Sequence, residues 1–309
     1  MTKRLLAAIC ILDAVVGDPR SLPHPVRLIG NAIVRGEDMV RRHIGDRSAK
    51  TEFAAGALLS LAVVAASALG GALSARVGGS LAVIVSGAAA LAARSLDRAL
   101  AAVETPLACG DTQSARTHLA AIVGRDTAAL DDPEIARAAI ETAAESLCDG
   151  VIAPLLALRA GGVAAAWAYK AANTLDSMIG HVEPPYKDFG RFAARLDDVA
   201  NFIPARLTVL LLAVAAPLVD GDSVAALSVA RRDGRLHQSP NAGWCEAAMA
   251  GALHRRLGGS NAYNGQLVRQ PYFGAEYDRP SYADVVRARK LVRAAGWVAM
   301  AVAVLSART

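Results

Sequence analysis

Two apolar runs, Phe53–Leu69 and Val77–Ala93, limit the folds open to this chain more than any other feature. Each is near the lower length limit for a helix that crosses a bilayer. The short GGALSAR piece between them carries Gly70 and Gly71, so the pair predicts a helical hairpin that turns over Gly70–Arg76. Inside hydrocarbon, backbone polar groups must be satisfied within the segment, which leaves helices or closed barrels. No segment alternates with period two between turn signals, so strands are expected to be minor. Of the 309 residues, 54% are hydrophobic but only 5% aromatic. The apolar mass is therefore Ala, Leu and Val, as in helical membrane proteins. The expected fold is all-α: a polytopic helical membrane protein, one integral domain over 1–309, with large polar helical connections on one side.

The remaining apolar segments are Leu5–Val16, Val151–Ala168, Phe202–Val219 and Leu291–Ser306. Arg159, Gly161 and Gly162 divide Val151–Ala168 into two half-length pieces, the pattern of a broken or re-entrant helix. Pro204, Arg206 and Pro217 shorten Phe202–Val219. Polar helical stretches are expected at Glu104–Ala129, from Asp132 to about Leu147, and at Ser223–Arg232, Ala242–Leu257 and Ser281–Ala294. Asp132, followed by Pro133, reads as a helix N-cap. The net charge of +5 comes from Arg residues flanking apolar segments. That is the positive-inside pattern, and it puts Arg35–Lys50 and Arg94–Gly150 on the cytoplasmic side. No basic run is interleaved with stacking aromatics, so nucleic acid is not an expected partner. Cys10, Cys109, Cys148 and Cys245 form no C-x-x-C pair, which argues against a zinc site or a disulfide framework. Met1–Val16 looks like a signal peptide, but Asp13 interrupts it, so it is read as a retained helix.

Polar residues set against hydrocarbon mark the candidate chemistry, because they are costly there. Arg137, Glu141, Glu145 and Asp149 recur every four residues, forming one helical stripe that ends at an apolar half-helix. Crowded carboxylates call for a cation, and Mg²⁺ carrying phosphate is the ordinary solution. The bland alternative is a solvated face with one Arg–Glu pair. Asn173 and Asp176 share one helix face, and Asp197 and Asn201 another. They flank the loop His181–Arg191, which holds Tyr186 and Lys187. The Asp197–Asp198 pair reads equally as a helix cap. Asp13 within an apolar helix is a further anomaly, and His24 is held between Pro23 and Pro25. The turn-rich stretch from Arg231 to Gly243 precedes a helix whose N-terminus suits an anion. Walker, dinucleotide-binding, nucleophile-elbow and H-E-x-x-H motifs are all absent.

Several blocks in order resemble the CbiB/CobD family of cobalamin-biosynthesis membrane proteins, the adenosylcobinamide-phosphate synthases. They are DAVVGDP, HPV, GRDT, ETAAESLCDGVIAPL, YKAANTLDSMIG, YKDFG, ARLDDVANFIPAR, HQSPNAGW, and LGG followed by YNG. Ser146 departs from the Asn usual after the acidic block's Glu. The resemblance implies an ATP-dependent amide ligase at the inner cell membrane, with its site facing the cytoplasm. It would join adenosylcobyric acid to (R)-1-amino-2-propanol O-phosphate or ethanolamine phosphate. ATP, Mg²⁺, the corrinoid, membrane lipid and other cobalamin-assembly membrane proteins are the implied partners, and a homo-oligomer is left open. On that reading Glu141, Glu145, Asp149, Asn173, Asp176 and Asp197 hold Mg²⁺ and nucleotide, with Asp198 and Asn201 beside them. Arg125, Arg206 and the loop with Ser239 and Asn241 bind phosphate or propionate. His24 or Lys187 handles the amine proton, and Glu141 and Asp176 act in catalysis. The rival is a non-catalytic membrane sensor or accessory protein like the AmpE group.

Overall fold

The structure is a computed structural model that describes residues 1–18, 25–44 and 48–308. Helices dominate it. The four strands are short and make two antiparallel pairs: β1 (Leu257–Gly258) with β4 (Tyr272–Phe273), and β2 (Asn261–Tyr263) with β3 (Gln266–Val268). Three helical stretches, within Ala49–Ala108, Asp132–Ile179 and Arg191–Val219, are long and apolar enough to cross a membrane. The protein is thus an all-α membrane protein. Its chain divides into two compact units.

The first unit takes Met1–Ala92, Ala153–Asn201 and Val302–Thr309. It holds α1 (Lys3–Val16), α2 (Pro25–His43), α3 (Ala49–Ala88), α7 (Ala153–Ile179) and the start of α8 (Arg191–Ala215). The expected hairpin exists, but its turn is not at Gly70–Arg76. Helical geometry persists through that stretch and breaks at Gly79, with φ 60° and ψ −152°. Two contacts show that the chain reverses there. A Cβ on Gly71 would sit 3.0 Å from Trp167 Cδ1, and Trp167 Nε1 donates to Ser86 Oγ at 2.9 Å. A straight helix would separate residues 71 and 86 by about 22 Å, so both reach one tryptophan only if the segment folds back. Gly71 serves spacing instead: its Cβ position lies 2.9 Å from Val163 O, letting α3 and α7 pack backbone to backbone. The expected break in the next apolar segment is at Gly161 and Gly162, the latter at φ 67° and ψ −157°. The continuation, 163–179, carries Asn173 and Asp176 mid-helix. On α2, Arg41 pairs with Glu37 and Glu52 and donates to Pro185 O at 3.2 Å, with its guanidinium 4.4 Å above the Phe189 ring. That pins the loop carrying Lys187, whose own side chain is exposed.

The second unit takes Ala93–Ile152 and Phe202–Ala301. It contains α4 (Ala93–Ala108), α5 (Thr112–Ala120), α6 (Asp132–Leu147), α9 (Ser223–Asp233), α10 (Ala242–Leu253) and most of α11 (Tyr282–Leu305). Asp131, not Asp132, caps α6: its carboxylate accepts from Glu134 N at 2.9 Å, and Pro133 lies within the first turn, where no N–H partner is needed. After Leu147 the chain widens into a π-turn, Cys148–Ile152, so Asp149 leaves regular α-geometry. Helix α10 packs on α6 and α9 and is buried along nearly its whole length. Cys10, Cys148 and Cys245 are buried, Cys109 is exposed, and none of the four is in a disulfide.

The backbone at Gly79 lies in a region open essentially to glycine alone. Gly79→Ala is expected to lower stability by about 1–3 kcal/mol. Gly70→Ala, where a Cβ meets nothing within 4 Å, should leave it unchanged. Thermal unfolding of both variants in detergent compares them directly, and equal behaviour would place the turn elsewhere.

Candidate functional site

The densest polar cluster lies inside the second unit, around Glu141 on α6. One carboxylate oxygen, Oε1, accepts from Arg137 Nη1 at 3.0 Å and from Gly258 N at 2.7 Å. The other, Oε2, accepts from Arg125 Nη1 at 2.6 Å. Glu141 is only 3% exposed. On the sequence it was expected to hold Mg²⁺; here its oxygens answer two guanidinium groups and a backbone amide. The Arg–Glu pair of the bland reading forms, but on a buried face and with a second arginine, Arg125, so the face is not a solvated one. Arg137 is fully engaged, donating also to Gly258 O, Ser260 O, Asn261 Oδ1 and Glu134. Asn261 Oδ1 accepts from Arg125 Nη1 at 2.8 Å, and Asn261 Nδ2 donates to Gln270 Oε1 at 3.1 Å. The network ties α6 to the short strands after α10. Those strands can sit there because Gly258 and Gly259 adopt φ of 76° and 91°.

Arg125 is the open member of this network. Only its Nη1 donates within the described residues, which leaves spare N–H groups on Nε and Nη2. A guanidinium edge of that kind suits a carboxylate or phosphate. Glu145, one turn beyond Glu141, is exposed. Glu246 on α10 is 8% exposed, and burial pushes its carboxyl well above the usual carboxylate range. Repulsion from Glu141 and Glu145 adds to that, while Arg125 and Arg137 act against it. Burial likewise raises the Tyr263 phenol and lowers His237. His237 Nδ1 accepts from Ser239 N at 2.9 Å, which fits a neutral ring.

The loop before α10 makes a second cationic corner in this unit. Arg206 Nη1 donates to Asn241 Oδ1 at 2.6 Å, and its guanidinium lies 4.1 Å over Phe202 and 4.9 Å over Trp244. Arg235 approaches the same Trp244 ring. Ser239, expected to bind phosphate, spends its hydroxyl at the helix start, accepting from Asn241 N and Ala242 N at 3.2 and 3.3 Å.

The first unit holds a separate polar group. Asp197 Oδ2 accepts from Asn201 Nδ2 at 2.9 Å, and Oδ1 accepts from Asn173 Nδ2 at 3.4 Å. Tyr169 Oη donates to Asn201 Oδ1 at 2.9 Å. Asn173, Asp197 and Asn201 therefore meet across α7 and α8. Asp197 and Asp198 sit inside α8 and cap nothing, because the helix already began at Arg191. Asp176 is half-buried one turn from Asn173. Asp13 is buried on α1, and His24 lies outside the described residues.

Among the described residues, no group of three or more His, Cys, Asp or Glu side chains could hold a metal ion. Sequence reasoning missed Glu246, Asn261 and Gln270. Glu246 had a legible signal, being the lone charge in the otherwise apolar stretch AGWCEAAMAGAL. Asn261 and Gln270 had none, since the strand pairing brings Gln270 to Asn261 and only the fold brings Asn261 to Arg125.

Comparison with known proteins bears on this arrangement. A family described as CobD/Cbib protein matches residues 5–292. The chain belongs to that family. A Cobalamin biosynthesis protein CobD from Citrobacter koseri is 44% identical over 296 residues, covering 94% of this chain and 93% of its own length. One from Geobacter metallireducens is 48% identical over 271 residues, covering 85% and 84%. A Cobalamin biosynthesis protein CbiB from Salmonella typhimurium is 41% identical over 299 residues, covering 94% and 93%. No solved structure matches. A role in cobalamin biosynthesis follows from the family.

Two predictions follow from the charges. Glu141→Gln leaves two part-buried guanidinium groups short of their counter-charge and should cost about 3 kcal/mol, measured by thermal unfolding in detergent. Glu246 gives the opposite result. Its folded-state pKa lies above the unfolded one, so the folded chain binds the extra proton and stability falls as pH rises above the ordinary carboxylate range. Glu246→Gln should remove that decline, with a melting midpoint above wild type at pH 8 and a smaller difference at pH 5.

Proposed function

We propose that this protein joins a carboxylate of adenosylcobyric acid to the amine of (R)-1-amino-2-propanol O-phosphate, or of ethanolamine phosphate, in an ATP-dependent amide ligation. Family membership along nearly the whole chain is the observation that carries this reading. The charge pattern of the second unit supports it. A carboxylate is a poor electrophile until one oxygen becomes a leaving group, and ATP supplies that group. The protein must then hold crowded negative charge and position the amine. Arg125 offers free N–H groups beside the buried acids, and Arg206, stacked on Trp244 and Phe202, offers a second fixed cation. Either guanidinium suits a phosphate or propionate oxygen in a fixed orientation. Ser239 contributes by fixing the loop before α10.

The expected Mg²⁺ ligands Glu145, Asp149, Asp176 and Asp197 form no resident metal group among the described residues. Mg²⁺ is accordingly assigned to the triphosphate it travels with, and no residue's role here depends on a protein-held ion. Asp197, bracketed by Asn173 and Asn201, is assigned to holding α7 against α8. Lys187 is exposed, and Asp176 and Asp198 are half-buried. Because ATP and the corrinoid acid are cytoplasmic, the reading puts the site on the cytoplasmic face of the inner membrane.

The decisive assay is purified protein with adenosylcobyric acid, Mg-ATP and aminopropanol phosphate. The expected outcome is amide product with stoichiometric nucleotide cleavage; no product from folded protein would overturn the proposal. Arg125→Ala should lower kcat/KM by roughly 10²–10³-fold. Asp176→Asn, in contrast, should retain most turnover, and its loss would restore that acid to the catalytic group.

A further inference from the structure

We infer that Glu246 is the recognition residue for a primary ammonium group, the nitrogen of the amine co-substrate, which approaches from the side of the exposed Glu145. The inference deepens the ligase reading and rests on it for the identity of the ammonium.

The argument starts from α10. Glu246 sits in the second turn of a helix otherwise built from Ala, Gly, Met, Leu, Trp and Cys, where a carboxyl has no use in packing. It is 8% exposed, and among the described residues it makes no hydrogen bond and no ion pair. A buried carboxyl without a partner costs stability by an amount that well-formed proteins avoid. Such a group is kept where a ligand completes it. The surroundings say which ligand. Glu141 is already balanced by Arg125 and Arg137. Both arginines act on Glu246 only at a distance, and neither donates to it. Glu145, whose charge reaches Glu246, is exposed, so the acids grade from solvent inward across the α6–α10 packing.

A compact cation that enters from water and offers directional N–H donors fits this arrangement. The described residues do not surround a metal ion with three such ligands, whereas one carboxylate with a second nearby is enough for an ammonium, which has three donors. Arg125 lies in the same network with its free N–H edge, so a molecule carrying an ammonium and an anionic group meets opposite charges at its two ends. Glu246 is therefore a specificity residue, selecting an amine over a neutral molecule of the same shape.

The test is calorimetric binding to the full-length protein in detergent at pH 7.5, using ethanolamine phosphate and its neutral-headed hydroxyl counterpart, ethylene glycol monophosphate. Wild type should prefer the amine by at least about tenfold, the scale of one buried charged hydrogen bond. Glu246→Gln should bind both within about twofold of each other, and Glu246→Asp should recover part of the preference. Melting curves confirm that each variant is folded; the Gln variant keeps the shape and removes only the ability to ionise against an ammonium. In turnover, Glu246→Gln should raise the KM for the amine while leaving the KM for ATP unchanged. A Gln variant that keeps the preference, or a wild type that has none, overturns the inference. A wild type that prefers the amine yet forms no amide overturns the ligase reading and leaves the ammonium site standing.

Discussion

Glu141 accepting from Arg125, Arg137 and Gly258 N is the interaction on which the second unit depends. One buried carboxylate ties a helix to a loop before it and to a strand more than a hundred residues later. Buried ion pairs gain little net stability over apolar packing, but breaking one is expensive. The consequence is positional: Arg125 is held by one nitrogen, and its other donors are left unused among the described residues. Asn261 and Gln270 extend the lock through strands too short to stand alone.

A buried carboxylate is also answered in the first unit, there by amides and a nearby lysine. Asp197 accepts from two amides, one of them held by Tyr169, and the Lys170 charge lies close enough to attract it. Nearby, Arg41 fixes the loop after α7 by combining two ion pairs with stacking on aromatic rings. Most charges near the apolar helices are thus answered by a specific neighbour, as low-dielectric surroundings require. Among the described residues Glu246 has no such answer.

The apolar runs, the breaks at paired glycines and the near absence of strands were legible because they depend on local composition and backbone freedom. The family was legible in ordered blocks. The turn of the hairpin was not. Gly70–Gly71 and Gly78–Gly79 read alike in sequence, and only the packing of Trp167 against both arms distinguishes a spacer from a turn. The cap of α6 was misplaced by one residue because Asp131 and Asp132 are chemically equivalent. The Asp197–Asp198 pair was equally ambiguous until α8 was seen to begin upstream at Arg191.

By itself the sequence determined a helical membrane protein of the CobD/CbiB family and the residue types available for binding anions and cations. Periodicity and hydropathy are properties of neighbouring residues, so a linear reading captures them. Tertiary structure alone decided which acids are neutralised and which are not. Whether Glu141 carries a ligand or an arginine depends on Arg125 and Gly258 arriving from distant positions, and Coulomb energy follows separation in space, not along the chain.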